Sequence, residues 1–269
     1  MAVVLDARDL NKRFGAVTAA MNVNAAIEQD SVVGLIGTNG AGKTTFINMI
    51  TGYIKPDTGS IHYQGRDITA LSPREVTRIG ICRSFQIPQL YSSLSVFENM
   101  MVGLGVVLRN AGLDGFFSRG HSNVPGYDAP AEAVAERILV RFGLVDYRNK
   151  NAQVLPGGVR KLLDIALTMV AKPTILLLDE PTSGVSAEEK FGMMEMVLAA
   201  VKAEGATVLF VEHDMEVVSR FAQRVLAFYD GRIIADAPPE IALCDPEVKR
   251  YVVGGELRRM DEKQGAADA

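Results

Sequence analysis

The chain has 269 residues, of which 48% are hydrophobic, and a formal net charge of −4 with a pI near 5.5. This acidic balance excludes the broad basic surface of non-specific nucleic-acid binders, so nucleic acid is not an expected partner. No stretch approaches the ~18 to 20 uninterrupted apolar residues of a membrane-spanning helix. Nothing in the first residues suggests export, and we expect a cytoplasmic protein in which Cys82 and Cys244 are buried or idle thiols.

The first predicted elements are two strands, at residues 3–10 and 19–27, in an antiparallel region. Four later runs are short and continuously apolar, which is typical of strands buried on both faces of a parallel sheet. They are residues 32–36, 175–178, 207–211 and 225–229. Helical patterns separate several of these runs, so the sequence predicts an α/β fold.

The predicted helices include residues 46–50 and a longer segment at 187–204, which ends before Gly205. In the middle of the chain, Ser95-Val96-Phe97-Glu98 matches a capping box and predicts that a helix starts there. Residues 131–142 also have helical periodicity, whereas 112–130 are too irregular to assign.

These strand and helix patterns suggest the domain organisation. We interpret residues 1–257 as one domain, with an α/β core of about 1–83 and 162–257 and a helical insertion of about 84–161. Residues 258–269 are small and polar and are expected to fray.

A phosphate-binding loop is predicted between the first buried strand and its helix. Gly37-Thr38-Asn39-Gly40-Ala41-Gly42-Lys43-Thr44 fits the pattern G-x-x-x-x-G-K-[ST] in the strand-to-helix context that the pattern requires. Backbone N–H groups and the helix N-terminus would bind phosphates, Lys43 would reach the β- and γ-phosphates, and Thr44 would ligate Mg²⁺. Thr45 can add a further contact. The alternative is a glycine-rich turn with a solvated lysine. We expect a nucleoside triphosphate to bind here.

Two acids, Asp179 and Glu180, end the apolar run at 175–178, at the strand edge where open α/β sheets bind ligands. Asp179 is expected to hold Mg²⁺, directly or through water, and Glu180 to polarise the water that attacks the γ-phosphate. The alternative is an ordinary acidic strand-to-loop transition.

With these motifs the chain resembles the ATP-binding subunit of an ATP-binding-cassette (ABC) transporter, from about residue 5 to 255. The resemblance implies a P-loop NTPase (RecA-like) core. It also implies that Gln86, in Ser84-Phe85-Gln86, senses Mg²⁺ and the attacking water. His213 would contact the γ-phosphate, and Phe14 would stack on adenine. Taken alone, Phe14 could be a core or turn aromatic, Gln86 a solvated loop residue and His213 a strand-end histidine.

The family's signature, commonly Leu-Ser-Gly-Gly-Gln, reads Leu155-Pro156-Gly157-Gly158-Val159 here. The resemblance implies that Pro156, Gly157 and Gly158 face ATP bound on a second ATPase chain, identical or related. Pro156 removes a hydroxyl, but the glycines can still offer backbone N–H groups and a helix N-terminus. Val159 and Ser186 also depart from the common pattern. Two chains would close around ATP, and hydrolysis would release them.

Among cassette proteins the chain looks most like the branched-chain amino acid importer group, through Arg83-Ser84-Phe85-Gln86, the long irregular insert and the Leu-Pro-Gly-Gly signature. This implies permease subunits in the membrane, a solute-binding protein outside the cell acting indirectly, and a position on the inner face of the membrane. A lipopolysaccharide-type exporter ATPase, a soluble non-transport cassette ATPase and a non-hydrolysing regulatory module are the alternatives.

An apolar groove for a permease helix is a further expectation. The same side chains could instead pack the helical insertion onto the core. They are Ile87, Leu90, Tyr91, Leu94, Val96, Phe97 and Met100.

Overall fold

The structure is a computed structural model that describes residues 2–84, 90–110, 124 and 126–254. These residues fall into two compact units, one formed by residues up to 77 and from 207 onward, the other by residues 78–206. The predicted tail and most of the irregular stretch at 112–130 lie outside the described residues. The predicted boundaries of the domain and of the helical insertion stay a prediction.

The described residues form strands and α-helices in the following chain order. The strands are β1 (Val3–Phe14), β2 (Val17–Glu28), β3 (Val32–Gly37), β4 (Thr58–Tyr63), β5 (Arg66–Asp67), β6 (Ile81–Arg83), β7 (Ile175–Asp179), β8 (Thr207–Val211), β9 (Arg224–Tyr229) and β10 (Arg232–Ala237). The α-helices are α1 (Lys43–Ile50), α2 (Pro73–Arg78), α3 (Val96–Asn110), α4 (Ala131–Arg141), α5 (Gly157–Met169), α6 (Lys190–Ala203), α7 (Met215–Phe221), α8 (Pro239–Ala242) and α9 (Pro246–Val248).

The first unit contains the antiparallel region that the sequence predicts. Its strands lie in the order β2-β1-β4-β5, and β1 pairs antiparallel with both β2 and β4. A second set of strands in this unit has the order β10-β9-β3-β8, in which β3 runs parallel to both β8 and β9. The apolar runs in β3, β8 and β9 are almost entirely buried, as predicted.

The second unit combines a parallel strand pair with helices. β6 pairs with β7, and Ser84 extends the pairing by donating its N–H to the carbonyl of Leu177 at 2.9 Å. The side chains at 175–178 are buried, as expected for a strand covered on both faces. Cys82 is buried in β6, and this burial raises the pKa of its thiol to about 11. In the other unit, Cys244 is exposed.

The capping box at the start of α3 is confirmed. The Ser95 N–H donates to the Glu98 carboxylate at 2.7 Å, and the Glu98 N–H donates to the Ser95 hydroxyl at 3.2 Å. Hydrogen bonds from the Ser95 main chain and side chain favour the ionised carboxylate and hold the pKa of Glu98 below its usual value. The first turn of α3 therefore has the reciprocal bonds predicted from four residues of sequence.

The boundary of one helix differs from the prediction. The segment predicted to be helical from 187 begins as α6 at Lys190. The Ser186 hydroxyl accepts the N–H of Glu189 at 3.3 Å, and the Ser186 carbonyl accepts the N–H of Lys190 at 3.0 Å. These are the bonds of a capped first turn, so residues 187–189 form a turn that leads into α6. Separately, none of the helices in the described ranges combines the length and apolar character needed to cross a membrane.

Candidate functional site: a nucleotide-binding loop and a carboxylate pair

The predicted phosphate loop connects the end of β3 to the start of α1. Gly37 has φ +147°, and a Cβ added there would lie 2.4 Å from the carbonyl oxygen of Phe228. Gly42 has φ +109°, and a Cβ there would lie 2.7 Å from the carbonyl oxygen of Ala19. Both positions therefore require glycine, for backbone conformation and for space.

Lys43 is the first residue of α1, and it is buried. Its ammonium group donates to the carbonyl of Gly37 and to that of Thr38, the latter at 3.1 Å. The lysine charge is therefore held inside the loop, against the backbone that would surround a phosphate.

The remaining loop positions differ in exposure. Asn39, Gly40 and Thr44 are exposed, Thr38 and Thr45 are half-buried, and Ala41 is buried. The Ala41 carbonyl accepts the N–H of Gly231 at 3.0 Å, in the turn between β9 and β10, which fixes the inner side of the loop.

His213 lies in the same unit as the phosphate loop and close to it in the sheet. In the parallel pairing of β3 with β8, Leu35 is opposite Val211, and the N–H of Glu212 donates to the Leu35 carbonyl at 3.4 Å. Val211 is the last residue of β8, and His213 lies two positions after it. Gly37 lies two positions after Leu35, the partner of Val211 in β3. The structure therefore brings His213 to the strand edge where the phosphate loop begins.

Phe14 is the last residue of β1, and 48% of its surface is exposed. It is opposite Val17 across the tight β1–β2 turn. This exposure excludes the alternative of a core aromatic, and the Lys12 ammonium lies 5.6 Å from the centre of the ring.

The carboxylate pair lies at the end of β7 in the other unit. The guanidinium of Arg83 is bonded to the Asp179 carboxylate, with 2.6 Å between Nη2 and Oδ2. Glu180 has φ +47°, a left-handed conformation that is uncommon for a residue with a side chain. Its main-chain carbonyl accepts hydrogen bonds from the Lys161 ammonium and from the Ser183 N–H.

The signature residues open α5, as expected. Pro156 is the N-cap residue, and the helix begins at Gly157. Pro156 and Gly157 are exposed and Gly158 is half-buried. Among the described residues, no side chain caps this helix start.

The sequence model of the ABC transporter family matches residues 20–183 of this chain. The chain belongs to the ABC transporter family. It is similar to a probable branched-chain amino acid transport ATP-binding protein LivG of Archaeoglobus fulgidus, with 33% identity over 257 residues that cover 94% of this chain and 96% of the relative. A high-affinity LivG protein of Escherichia coli strain K12 is 34% identical over 254 residues, 93% of this chain and 98% of the relative.

The fold is also similar to that of a solved ABC transporter cassette. A solved structure of an ATP-binding cassette of an ABC transporter, in its ADP conformation, matches with a TM-score of 0.77 at 29% identity, over 93% of this chain and 98% of that one. This ABC transporter protein is therefore a nucleotide-binding cassette and an ATPase, with the cassette fold predicted from its sequence.

The donors predicted for Mg²⁺ in this ABC transporter ATPase are all oxygen atoms, from the Thr44 hydroxyl, the Asp179 carboxylate and the Gln86 amide. Mg²⁺ is typically held by one or two carboxylates together with substrate phosphates. No cluster of three His, Cys, Asp or Glu side chains among the described residues forms a metal cage. Oxygen donors of these three kinds are those that Mg²⁺ prefers, so the predicted set suits this ion. Gln86 lies outside the described residues, and its role stays a prediction.

The predicted permease groove of this ABC transporter subunit divides into two sets of side chains. Val96 and Met100 are fully buried and belong to the core of their unit, which agrees with the packing alternative for these two. Tyr91 is 58% exposed, while Leu90, Leu94 and Phe97 are half-buried. Ile87 lies outside the described residues.

Two residues around the carboxylate pair were not assigned a role from the sequence. Arg83 contacts Asp179 from 96 positions away, and Lys161 contacts Glu180 from 19 positions away. The only sequence signal for Lys161 is a charge among apolar residues of an amphipathic helix. The signal for Arg83 is its place just before the predicted glutamine loop.

Proposed function

We propose that this chain is the ATP-hydrolysing subunit of an importer for branched-chain amino acids or similar small polar solutes. The observation that supports the solute class is full-length similarity to two LivG proteins at 33% and 34% identity. The subunit binds permease subunits at the cytoplasmic face of the membrane, and a solute-binding protein acts on the permeases from outside.

The proposed reaction is hydrolysis of the γ-phosphate of ATP by water. Lys43 and the N–H groups of the phosphate loop hold the phosphates, and Phe14 stacks on adenine. Thr44, Asp179 and Gln86 would hold Mg²⁺, which would neutralise phosphate charge. Glu180 accepts a proton from the attacking water, and His213 contacts the γ-phosphate.

Dimerisation completes the proposed site. Pro156, Gly157 and Gly158 of each chain face the nucleotide on a second chain, where the N-terminus of α5 offers N–H groups and a partial positive charge to the γ-phosphate. ATP thus closes the dimer, and its hydrolysis allows the dimer to open. This cycle converts the chemical step into motion of the permeases.

The test is purification of the tagged chain from detergent-solubilised native membranes, followed by reconstitution of the co-purified permeases in liposomes. We expect ATP-dependent uptake of leucine, isoleucine or valine when the solute-binding protein is added. The same complex carrying Glu180→Gln assembles but does not transport. Lipopolysaccharide extraction in place of uptake, or a soluble homodimer with no membrane partner, would refute the importer assignment.

A further inference from the structure

The start of α5 lies against the segment that follows the carboxylate pair. A Cβ added to Gly157 would be 3.6 Å from the carbonyl oxygen of Gly184. A Cβ added to Gly158 would be 3.6 Å from the Val185 side chain. The first turn of the signature helix therefore lies next to residues 184 and 185, which a side chain at either glycine would contact.

Lys161, one turn further along α5, also joins this helix to the segment at the end of β7. It follows Gly157 by four residues, so both lie on the same face of α5. Lys161 is 7% exposed, and its ammonium donates to the main-chain carbonyl of Glu180. A buried ammonium is costly unless hydrogen-bonded, so this contact is a specific link between α5 and the end of β7.

The carbonyl that Lys161 holds belongs to a strained residue. The φ of Glu180 is +47°, which costs a residue with a side chain roughly 1 to 2 kcal/mol. Such a conformation persists only where surrounding contacts hold it, and it is often found at functional sites. Two donors converge on this carbonyl, since the Ser183 N–H also lies 3.1 Å from it. Fixing this peptide group fixes the direction in which the Glu180 side chain leaves the backbone.

We propose that Lys161 is a positioning residue for Glu180, and that it ties the Glu180 backbone to the signature helix. This inference rests on the proposed function, in which Glu180 polarises the attacking water. When the N-terminus of α5 engages the nucleotide of the second chain, the Lys161 hydrogen bond carries the Glu180 peptide group with the helix.

The test compares two variants. Lys161→Met keeps a long unbranched side chain but removes the hydrogen-bond donor, whereas Lys161→Arg keeps a cationic donor. The control is Lys172→Met, because the Lys172 ammonium also donates to a backbone carbonyl of the same unit, that of Gly126. Steady-state ATP hydrolysis of the purified complex gives kcat and KM, and calorimetry on the same samples gives ATP affinity.

For Lys161→Met we expect kcat to fall by about 10²-fold, because misplacing a catalytic group by an ångström has an effect of that size. KM and ATP affinity should stay within about twofold, since the phosphate loop contacts are unchanged. Lys161→Arg should recover most of kcat, and Lys172→Met should match the wild type. If Lys161→Met does not fold, Lys161→Gln takes its place in the comparison with Lys161→Arg.

Unchanged kcat in Lys161→Met, or an equal loss of kcat and ATP affinity, would overturn the positioning role. Glu180→Gln is measured in the same assay to keep the two proposals separate. If the wild type hydrolyses ATP, Glu180→Gln does not, and Lys161→Met is normal, only the role of Lys161 fails. If Glu180→Gln turns over normally, the proposed role of Glu180 fails first.

Discussion

Arg83 holds Asp179 through a charge-assisted hydrogen bond, with 2.6 Å between Nη2 and Oδ2. Only 11% of the Arg83 side chain and 16% of the Asp179 side chain are exposed. Arg8 and Asp6 form a pair of the same length in the other unit, but 62% of the Arg8 side chain is exposed. The Arg8–Asp6 pair is therefore an exposed and local comparison for the buried, long-range pair of Arg83 and Asp179.

We expect Arg83→Met to lower the free energy of unfolding by about 2 kcal/mol, because it removes a hydrogen bond to a largely buried charge. Arg8→Met should change it by about 0.5 kcal/mol or less, since exposed ion pairs are weak. Urea unfolding followed by circular dichroism measures both values. Equal effects of the two substitutions would contradict a stabilising role for the Arg83–Asp179 pair.

Glu180→Gln should slow ATP turnover by at least ~10²-fold, within the range expected for loss of a general base. ATP affinity should remain close to that of the wild type, because the loop that binds the phosphates is intact. Glu188→Gln is the control, since Glu188 is an exposed acid of the same unit. ATP turnover and ATP affinity are measured for the wild type, Glu180→Gln and Glu188→Gln. Near-normal turnover of Glu180→Gln would exclude Glu180 as the general base.

Lys43→Ala should abolish detectable nucleotide binding, because a charge-assisted contact of ~1.5 to 3 kcal/mol with phosphate is lost. The structure adds a second reason, since the Lys43 ammonium also holds the carbonyls of Gly37 and Thr38. The matched control is Lys55→Ala, whose ammonium donates to the Leu71 carbonyl elsewhere in the unit. ATP affinity by calorimetry should fall only for Lys43→Ala, and unchanged affinity would exclude its phosphate role.

The elements that were predicted correctly from the sequence are those that depend on a short run of neighbouring residues. The buried runs at 32–36 and 207–211 were recognisable because strands covered on both faces need apolar residues at every position. The capping box at Ser95 and Glu98 was recognisable because both partners lie within four residues. The glycine pattern of the phosphate loop likewise states the backbone conformation that Gly37 and Gly42 adopt.

Two kinds of feature were not predicted from the sequence: the residue at which a helix begins, and contacts between distant residues. The helix predicted from 187 begins as α6 at Lys190, after a turn capped by the Ser186 hydroxyl, because periodicity does not define a helix end to the residue. The contacts of Arg83 with Asp179 and of Lys161 with Glu180 join residues far apart in the chain. Only the folded backbone brings these cations to the carboxylate pair.

The phosphate loop offers a last prediction, which separates conformation from space at two of its glycines. Gly40 and Gly42 both have positive φ, +83° and +109°. A Cβ at Gly40 would meet nothing within 4 Å, whereas one at Gly42 would lie 2.7 Å from the Ala19 carbonyl oxygen. Gly40→Ala should therefore cost only the conformational strain, about 1 kcal/mol, while Gly42→Ala must also displace backbone and should cost about 3 kcal/mol. Urea unfolding of the two variants measures the difference. Equal losses of stability would mean that the close approach of β2 to the loop does not constrain position 42.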